Sequence, residues 1–123
     1  MSSEDLYKKN IIEHYKNPRN FSKLDDFNLN ASLSNVTCGD EVEIFLKVED
    51  SIIQDVSFQG RGCAISVAAT SMLTEKIKGE NLDAVQKLNK KDILRMLGMQ
   101  ERSPREKCGV LGLEVLHKAL KDS

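Results

Sequence analysis

Glu41-Val42-Glu43-Ile44-Phe45-Leu46-Lys47-Val48-Glu49 alternates apolar and charged residues, with Phe45 the one exception on the polar side. Successive side chains of a strand point to opposite faces, so this period of two predicts a strand with Val42, Ile44, Leu46 and Val48 on a buried face. Asp50-Ser51 supplies turn chemistry. Ile52 to Gln59 then reads as the return strand of an antiparallel hairpin, with Ile52, Val56 and Phe58 facing one way. Gly60-Arg61-Gly62-Cys63 breaks the pattern. From Ala64 the period becomes 3.6, with Ile65, Ala68, Ala69, Met72, Leu73 and Ile77 on one helical stripe and Gly79 as the stop.

Working outward, Leu29, Ala31 and Leu33 alternate with Asn30, Ser32 and Ser34, predicting a further strand before the hairpin. Arg19 to Asn30 is irregular, anchored by Phe21, Leu24 and Phe27. Ser3 to Lys16 reads as a helix, with Tyr7, Ile11 and Tyr15 at i, i+4 and i+8, and Asn17-Pro18 ending it. Downstream, short helices are expected around Leu82–Leu88 and Ile93–Leu97, the second closed by Gly98. Glu101 to Lys107 reads as a charged loop containing Pro104, and a last helix as running from about Cys108 to Lys121. One helix, three strands and several helices in that order predict an α+β fold. The sheet is small, three-stranded and antiparallel, with the N-terminal helix and a C-terminal group of helices packed on one face. Residues 1–123 are expected to form one domain.

A formal net charge of -1 gives no electrostatic basis for binding nucleic acid or a membrane surface. No apolar run approaches the roughly 18 residues of a membrane span, and the acidic start, Glu4-Asp5, lacks a signal-peptide core, so the chain reads as cytoplasmic. There are three cysteines. An odd number excludes complete pairing within the chain, and a reducing compartment disfavours disulfides anyway. Taken alone, the count fits three inert core thiols, since unpaired cysteines are commonly buried.

Their surroundings argue otherwise. Cys38 leads into Gly39 and Asp40, Cys63 ends Gly60-Arg61-Gly62-Cys63, and Cys108 precedes Gly109. Glycine beside a cysteine lets the backbone turn sharply and approach a bound group. Cys63 and Cys108 fall at expected helix N-termini, where the dipole favours a thiolate, and Arg61, Arg105 and Lys107 add positive charge. Asp40 beside Cys38 suits a shared cation. Three thiolates and one carboxylate, Cys38, Asp40, Cys63 and Cys108, make a four-donor set fitting Zn²⁺ or an iron–sulfur cluster. The donors come from three separate elements rather than a local C-x₂₋₄-C pair, which suits a site that loads and unloads. His14 and His117 have no spacing that pairs them with a cysteine nucleophile: His14 reads as a surface or boundary residue and His117 as solvent-facing.

These motifs resemble the IscU/SufU/NifU-N-terminal family of iron–sulfur cluster assembly proteins. Ile12-Glu13-His14-Tyr15-Lys16-Asn17-Pro18-Arg19-Asn20 is similar to the family's N-terminal helix and its exit. Thr37-Cys38-Gly39-Asp40, Gly60-Arg61-Gly62-Cys63-Ala64-Ile65-Ser66 and Lys107-Cys108 resemble its three ligand motifs in order. The resemblance implies cysteines and Asp40 converging at an exposed tip, with Gly39, Arg61, Gly62 and Lys107 in support. It implies a transient [2Fe-2S] cluster or Zn²⁺, a cysteine desulfurase as sulfur donor, and apo iron–sulfur proteins as acceptors. Cys108 is the candidate persulfide acceptor.

The pattern also departs from the family. Val36 stands where a proline is common. Lys107 stands where IscU-type members have histidine, a SufU-like feature; of the roles open to it, metal ligand, partner contact or thiolate stabiliser, the last is preferred because a protonated lysine cannot donate to a metal. The segment before Cys108 lacks the Leu-Pro-Pro-Val-Lys motif, which counts against docking of the dedicated Hsp70-type chaperone. The chain is also too short between Cys63 and Cys108 for the usual SufU insertion. Three functions follow as expectations: a cluster scaffold, a zinc-bound sulfur carrier, and a zinc-stabilised interaction module.

Overall fold

The computed structural model describes residues 3–36 and 39–121. Its elements are α1 (Ser3–Lys16), β1 (Leu29–Asn35), β2 (Asp40–Glu49), β3 (Ile52–Arg61), α2 (Ala64–Ile77), α3 (Leu82–Gln86), α4 (Lys90–Leu97) and α5 (Glu106–Lys121). The strands form an antiparallel sheet in the order β1-β2-β3. The α+β architecture expected from the sequence is the one observed.

The alternation in β2 explains the core. Val42, Ile44 and Leu46 are buried on the inner face, where α2 and α5 pack. They meet Ala69, Leu73 and Ile77 of α2 and Leu111, Val115 and Leu116 of α5. Each such Val, Leu or Ile side chain contributes roughly 1.5–3 kcal/mol by leaving water. α1 lies in a second layer against α2, and α4 packs on α5. Gly98 ends α4 at φ 69°, and a Cβ there would fall 2.3 Å from the Tyr7 ring. This glycine therefore both closes one helix and seats α1.

Three details depart from the sequence reading. First, Ile53 is fully buried and Ile52 is not. The β2–β3 register shifts between Lys47 and Val48, so Val48 pairs with Ile53 while Lys47 pairs with Asp55. That extra residue is a β-bulge, and it turns Ile53 to the core side. Second, Phe45 is not an exposed exception, being 2% exposed. The irregular segment before β1 crosses the outer face of the sheet, and Phe27 stacks edge-on against Phe45 with ring centroids 5.1 Å apart. The same segment bonds to Phe58 through Asn20 O and Ser22 N, and the Leu24 N–H donates to Ser57 Oγ at 3.0 Å. It covers one edge of the sheet as well as part of its second face. Third, α5 begins at Glu106, so part of the expected charged loop is already helix.

Candidate metal centre

Strand parity sets up the centre. Asp40 is the first residue of β2 and shares the inward side of Val42, Ile44 and Leu46, so its carboxylate is aimed into the fold and is 0% exposed. It lies at the end of the sheet where α2 and α5 begin. Cys63 is the N-cap residue of α2, with extended backbone (φ -70°, ψ 163°), and its side chain makes no capping bond. Its thiol is therefore not spent on the helix. Cys108 is the third residue of α5. The positive ends of two helix dipoles thus face one carboxylate and two sulfurs, an arrangement that suits anionic ligands.

The donor atoms of Asp40, Cys63 and Cys108 all lie within 4.8 Å of one another. Around a tetrahedral zinc, sulfur donors sit about 3.8 Å apart, so modest side-chain rotation closes the set. Asp40 Oδ1 accepts the Cys63 N–H at 2.8 Å, and Cys63 Sγ is 4.0 Å from Oδ2. The first bond orients the carboxylate and leaves Oδ2 directed toward the sulfurs. Gly62 is required for it: a Cβ would lie 2.1 Å from Asp40 Oδ1 and 2.8 Å from Ser66 Oγ. Ser66, buried and donating to Cys63 O at 3.2 Å, backs the Cys63 turn. The sequence reading missed it as a site residue, although its place three residues after Cys63 is the usual position for such a contact.

Cys38 lies outside the described residues. Gly39, next to it, is exposed at φ 70°, and its N–H donates to Val36 O at 3.3 Å. The expected exposed tip is exposed only in its loop: Val36 is 90% exposed, whereas Asp40 and Cys108 (4%) are buried and Cys63 is half-buried. Arg61, expected in support of the centre, is turned to the other side of the sheet. It has the parity of Glu41, so it points to the outer face and pairs with that residue at 3.3 Å. Lys107 is exposed and lines a groove of about 380 Å³ with Val36, Leu111 and Glu114 beside the site. A wider concavity of about 650 Å³ lies on the outer sheet face among Ser32, Glu41, Glu43 and Gln59 and holds none of the three donors.

The two histidines lie apart from the donors. Ser71 Oγ accepts the Arg19 N–H at 2.8 Å and is hydrogen-bonded to His14 Nδ1, also at 2.8 Å. His14 Nε2 lies 3.5 Å from the Glu75 carboxylate. Burial, followed by the Arg19 charge, holds this histidine below its ordinary value of 6.5. It is a boundary residue joining α1 to α2, as the sequence suggested. His117 is half-buried rather than solvent-facing, and its Nε2 is buried without a hydrogen-bond partner. Position on the inward-turning side of α5, beside Leu116 and Leu120, accounts for that.

The chain and its fold find counterparts among known proteins. The family model described as NifU-like N terminal domain matches residues 6–123.

The chain belongs to the NifU-like N-terminal domain family.

Family members similar to it include proteins named as a sulfurtransferase and as cluster scaffolds. The zinc-dependent sulfurtransferase SufU of Bacillus subtilis (strain 168) is 32% identical over 95% of this chain and 90% of its own length. The iron–sulfur cluster assembly scaffold protein IscU of Aquifex aeolicus (strain VF5) is 40% identical over 94% of this chain and 74% of its own. Among solved structures, a protein from the thermophile Fervidobacterium islandicum AW-1, assigned as an iron–sulfur cluster assembly scaffold of the SUF system, superposes with a TM-score of 0.79. It is 25% identical, covering 97% of this chain and 99% of that one. Among the described residues, no helix of this NifU-like domain is long and apolar enough to cross a membrane.

Proposed function

We propose that this protein is a scaffold on which iron–sulfur clusters are assembled and from which they are passed on. The observation that carries the reading is the convergence of Asp40, Cys63 and Cys108 within 4.8 Å, from a strand end and two helix N-termini. Two soft sulfurs and a hard oxygen suit iron or zinc rather than magnesium or calcium. Cys38, two residues before Asp40, supplies a third thiolate and completes four donors. The cluster is cargo here, not a resident group. A carboxylate is a harder donor than a thiolate, so Asp40 serves as the weaker fourth ligand and keeps a 2Fe–2S cluster transferable. Similarity to the IscU scaffold protein of Aquifex aeolicus supports this reading.

Sulfur reaches the site from the persulfide of a cysteine desulfurase. The Cys108 thiolate attacks the terminal sulfur, a new S–S bond forms on Cys108, and the desulfurase cysteine leaves as a thiolate. Apo iron–sulfur proteins are the acceptors of the finished cluster. The segment that would carry a chaperone motif is Glu101-Arg102-Ser103-Pro104-Arg105-Glu106-Lys107, which counts against docking of the dedicated Hsp70-type chaperone. Residues 1–123 act as one domain in the cytoplasm.

A second reading is favoured by Lys107 and by the likeness to the zinc-dependent sulfurtransferase of Bacillus subtilis. In it Cys38, Asp40, Cys63 and Cys108 hold Zn²⁺, which when bound keeps the thiols deprotonated, and Cys108 relays sulfur without building a cluster. The two separate in one experiment. The protein is purified without oxygen, its metal assayed, and iron, cysteine and a desulfurase supplied. A visible-absorbing cluster that moves to an apo-ferredoxin is the expected result. Retained zinc, no cluster and faster desulfurase turnover would overturn the scaffold in favour of the carrier. Asp40→Ala should alter metal retention or cluster lifetime, and unchanged values of both would remove Asp40 from the donor set.

A further inference from the structure

Cys108 is 4% exposed, yet a sulfur acceptor has to present its sulfur to a partner. Cys108 lies in the first turn of α5, and one side chain, Glu106, ties that turn to the elements around it. Glu106 uses both carboxylate oxygens. Oε1 pairs with Lys90 Nζ, and Oε2 accepts the Arg102 N–H at 2.6 Å. Lys90 is the first residue of α4, a firm anchor. The N-terminus of α4 is closed by the reciprocal Asn89–Asp92 capping box, and its Ile93, Leu94 and Leu97 are buried. Arg102 belongs to the loop entering α5 and sits at φ 67°. Ser103 then begins the turn: its carbonyl accepts the Glu106 N–H at 3.0 Å, and Gly109 N–H donates back to Arg105 O at 3.1 Å. Cys108 lies inside the segment these bonds enclose. A backbone turn at a helix start has few bonds of its own and opens locally at small cost unless it is tethered.

We propose that Glu106 is a latch on Cys108: its bonds to Lys90 and Arg102 keep the first turn of α5 closed, and breaking them opens that turn and exposes the sulfur. Glu106 and Lys90 are thus positioning residues. Their meaning for sulfur delivery rests on the assembly reading above, but the latch is testable without iron, desulfurase or acceptor. The full chain, in EDTA, is pulsed with iodoacetamide, and peptide mass spectrometry follows Cys63 and Cys108 separately. Glu106→Ala removes both bonds and is expected to raise the Cys108 rate about tenfold, since alkylation tracks the open population. Lys90→Glu is expected to raise it about threefold, the scale of a single ion pair lost. The Cys63 rate stays within about twofold of its starting value in both. Glu106→Gln keeps an acceptor for the Arg102 N–H and loses the ion pair to Lys90, so it is expected to raise the Cys108 rate about threefold as well. An unchanged Cys108 rate in Glu106→Ala or in Lys90→Glu, or a parallel rise at Cys63 with a lower melting temperature, would each overturn the latch. None of these outcomes bears on whether a cluster forms.

Discussion

Substituting Gly62 by alanine tests the geometry of the centre through its backbone. The added Cβ would meet Asp40 Oδ1 at 2.1 Å, Asp40 Cγ at 2.8 Å and Ser66 Oγ at 2.8 Å. Ordinary contact begins at 3.4 Å, so the carboxylate must withdraw by about 1.3 Å (3.4 − 2.1). Asp40 is fully buried at the sheet end and is held by the 2.8 Å bond from Cys63 N–H. Withdrawal on that scale breaks the bond. Overpacking costs about 1–3 kcal/mol, and losing a hydrogen bond to a buried charged acceptor costs about 1.5–3 kcal/mol. The two overlap, so the expected loss is roughly 2–5 kcal/mol, a large share of the stability of a small domain. Urea denaturation of the wild type and of Gly62→Ala measures it. The decisive comparison is a double-mutant cycle with Asp40→Ala, which removes the group that the methyl strikes. Gly62→Ala should cost at least about 1 kcal/mol less in the Asp40→Ala background than alone. An additive cycle would refute the claim that Gly62 is there to admit the Asp40 carboxylate.

Two further predictions rest on other parts of the fold. His14 is held neutral chiefly by burial, so the unfolded chain takes up its proton first as pH falls. Its contribution to stability is intact above 6.5, declines as pH falls below that value and is lost once pH has passed through the lower value of the folded state, and His14→Gln should flatten denaturation midpoints between about pH 8 and pH 5. Phe45→Ala should cost about 3–5 kcal/mol by denaturant melts, as for a core phenylalanine; a cost below about 1 kcal/mol would mean that the segment carrying Phe27 does not cover the sheet in solution.

Periodicity and neighbouring glycines, both local properties, made much of this protein legible. The alternation of Val42, Ile44 and Leu46 located the central strand, and the change of period after Cys63 located α2. The same alternation, extended back by two residues, puts Asp40 on the inward side. The motifs around Cys63 and Cys108 marked them as residues at helix starts, where the structure places them. What escaped the sequence depended on contacts between distant segments. Phe45 looked exposed because its cover, Phe27, comes from an irregular stretch with no period of its own. Ile53 replaced Ile52 in the core because a bulge shifts parity, and a bulge is fixed by the partner strand rather than by either strand alone.

The sequence by itself determined the elements, the donor types and their order along the chain, since these follow from side-chain chemistry and spacing. Only the tertiary structure decided how those donors are presented. It turned Arg61 away to Glu41 because strand parity sends neighbours to opposite faces. It fitted the Asp40 carboxylate into the space left by Gly62. It also enclosed Cys108 in a helix turn held by Lys90 and Glu106, residues 16 positions apart (106 − 90) that meet only because α4 and α5 pack together.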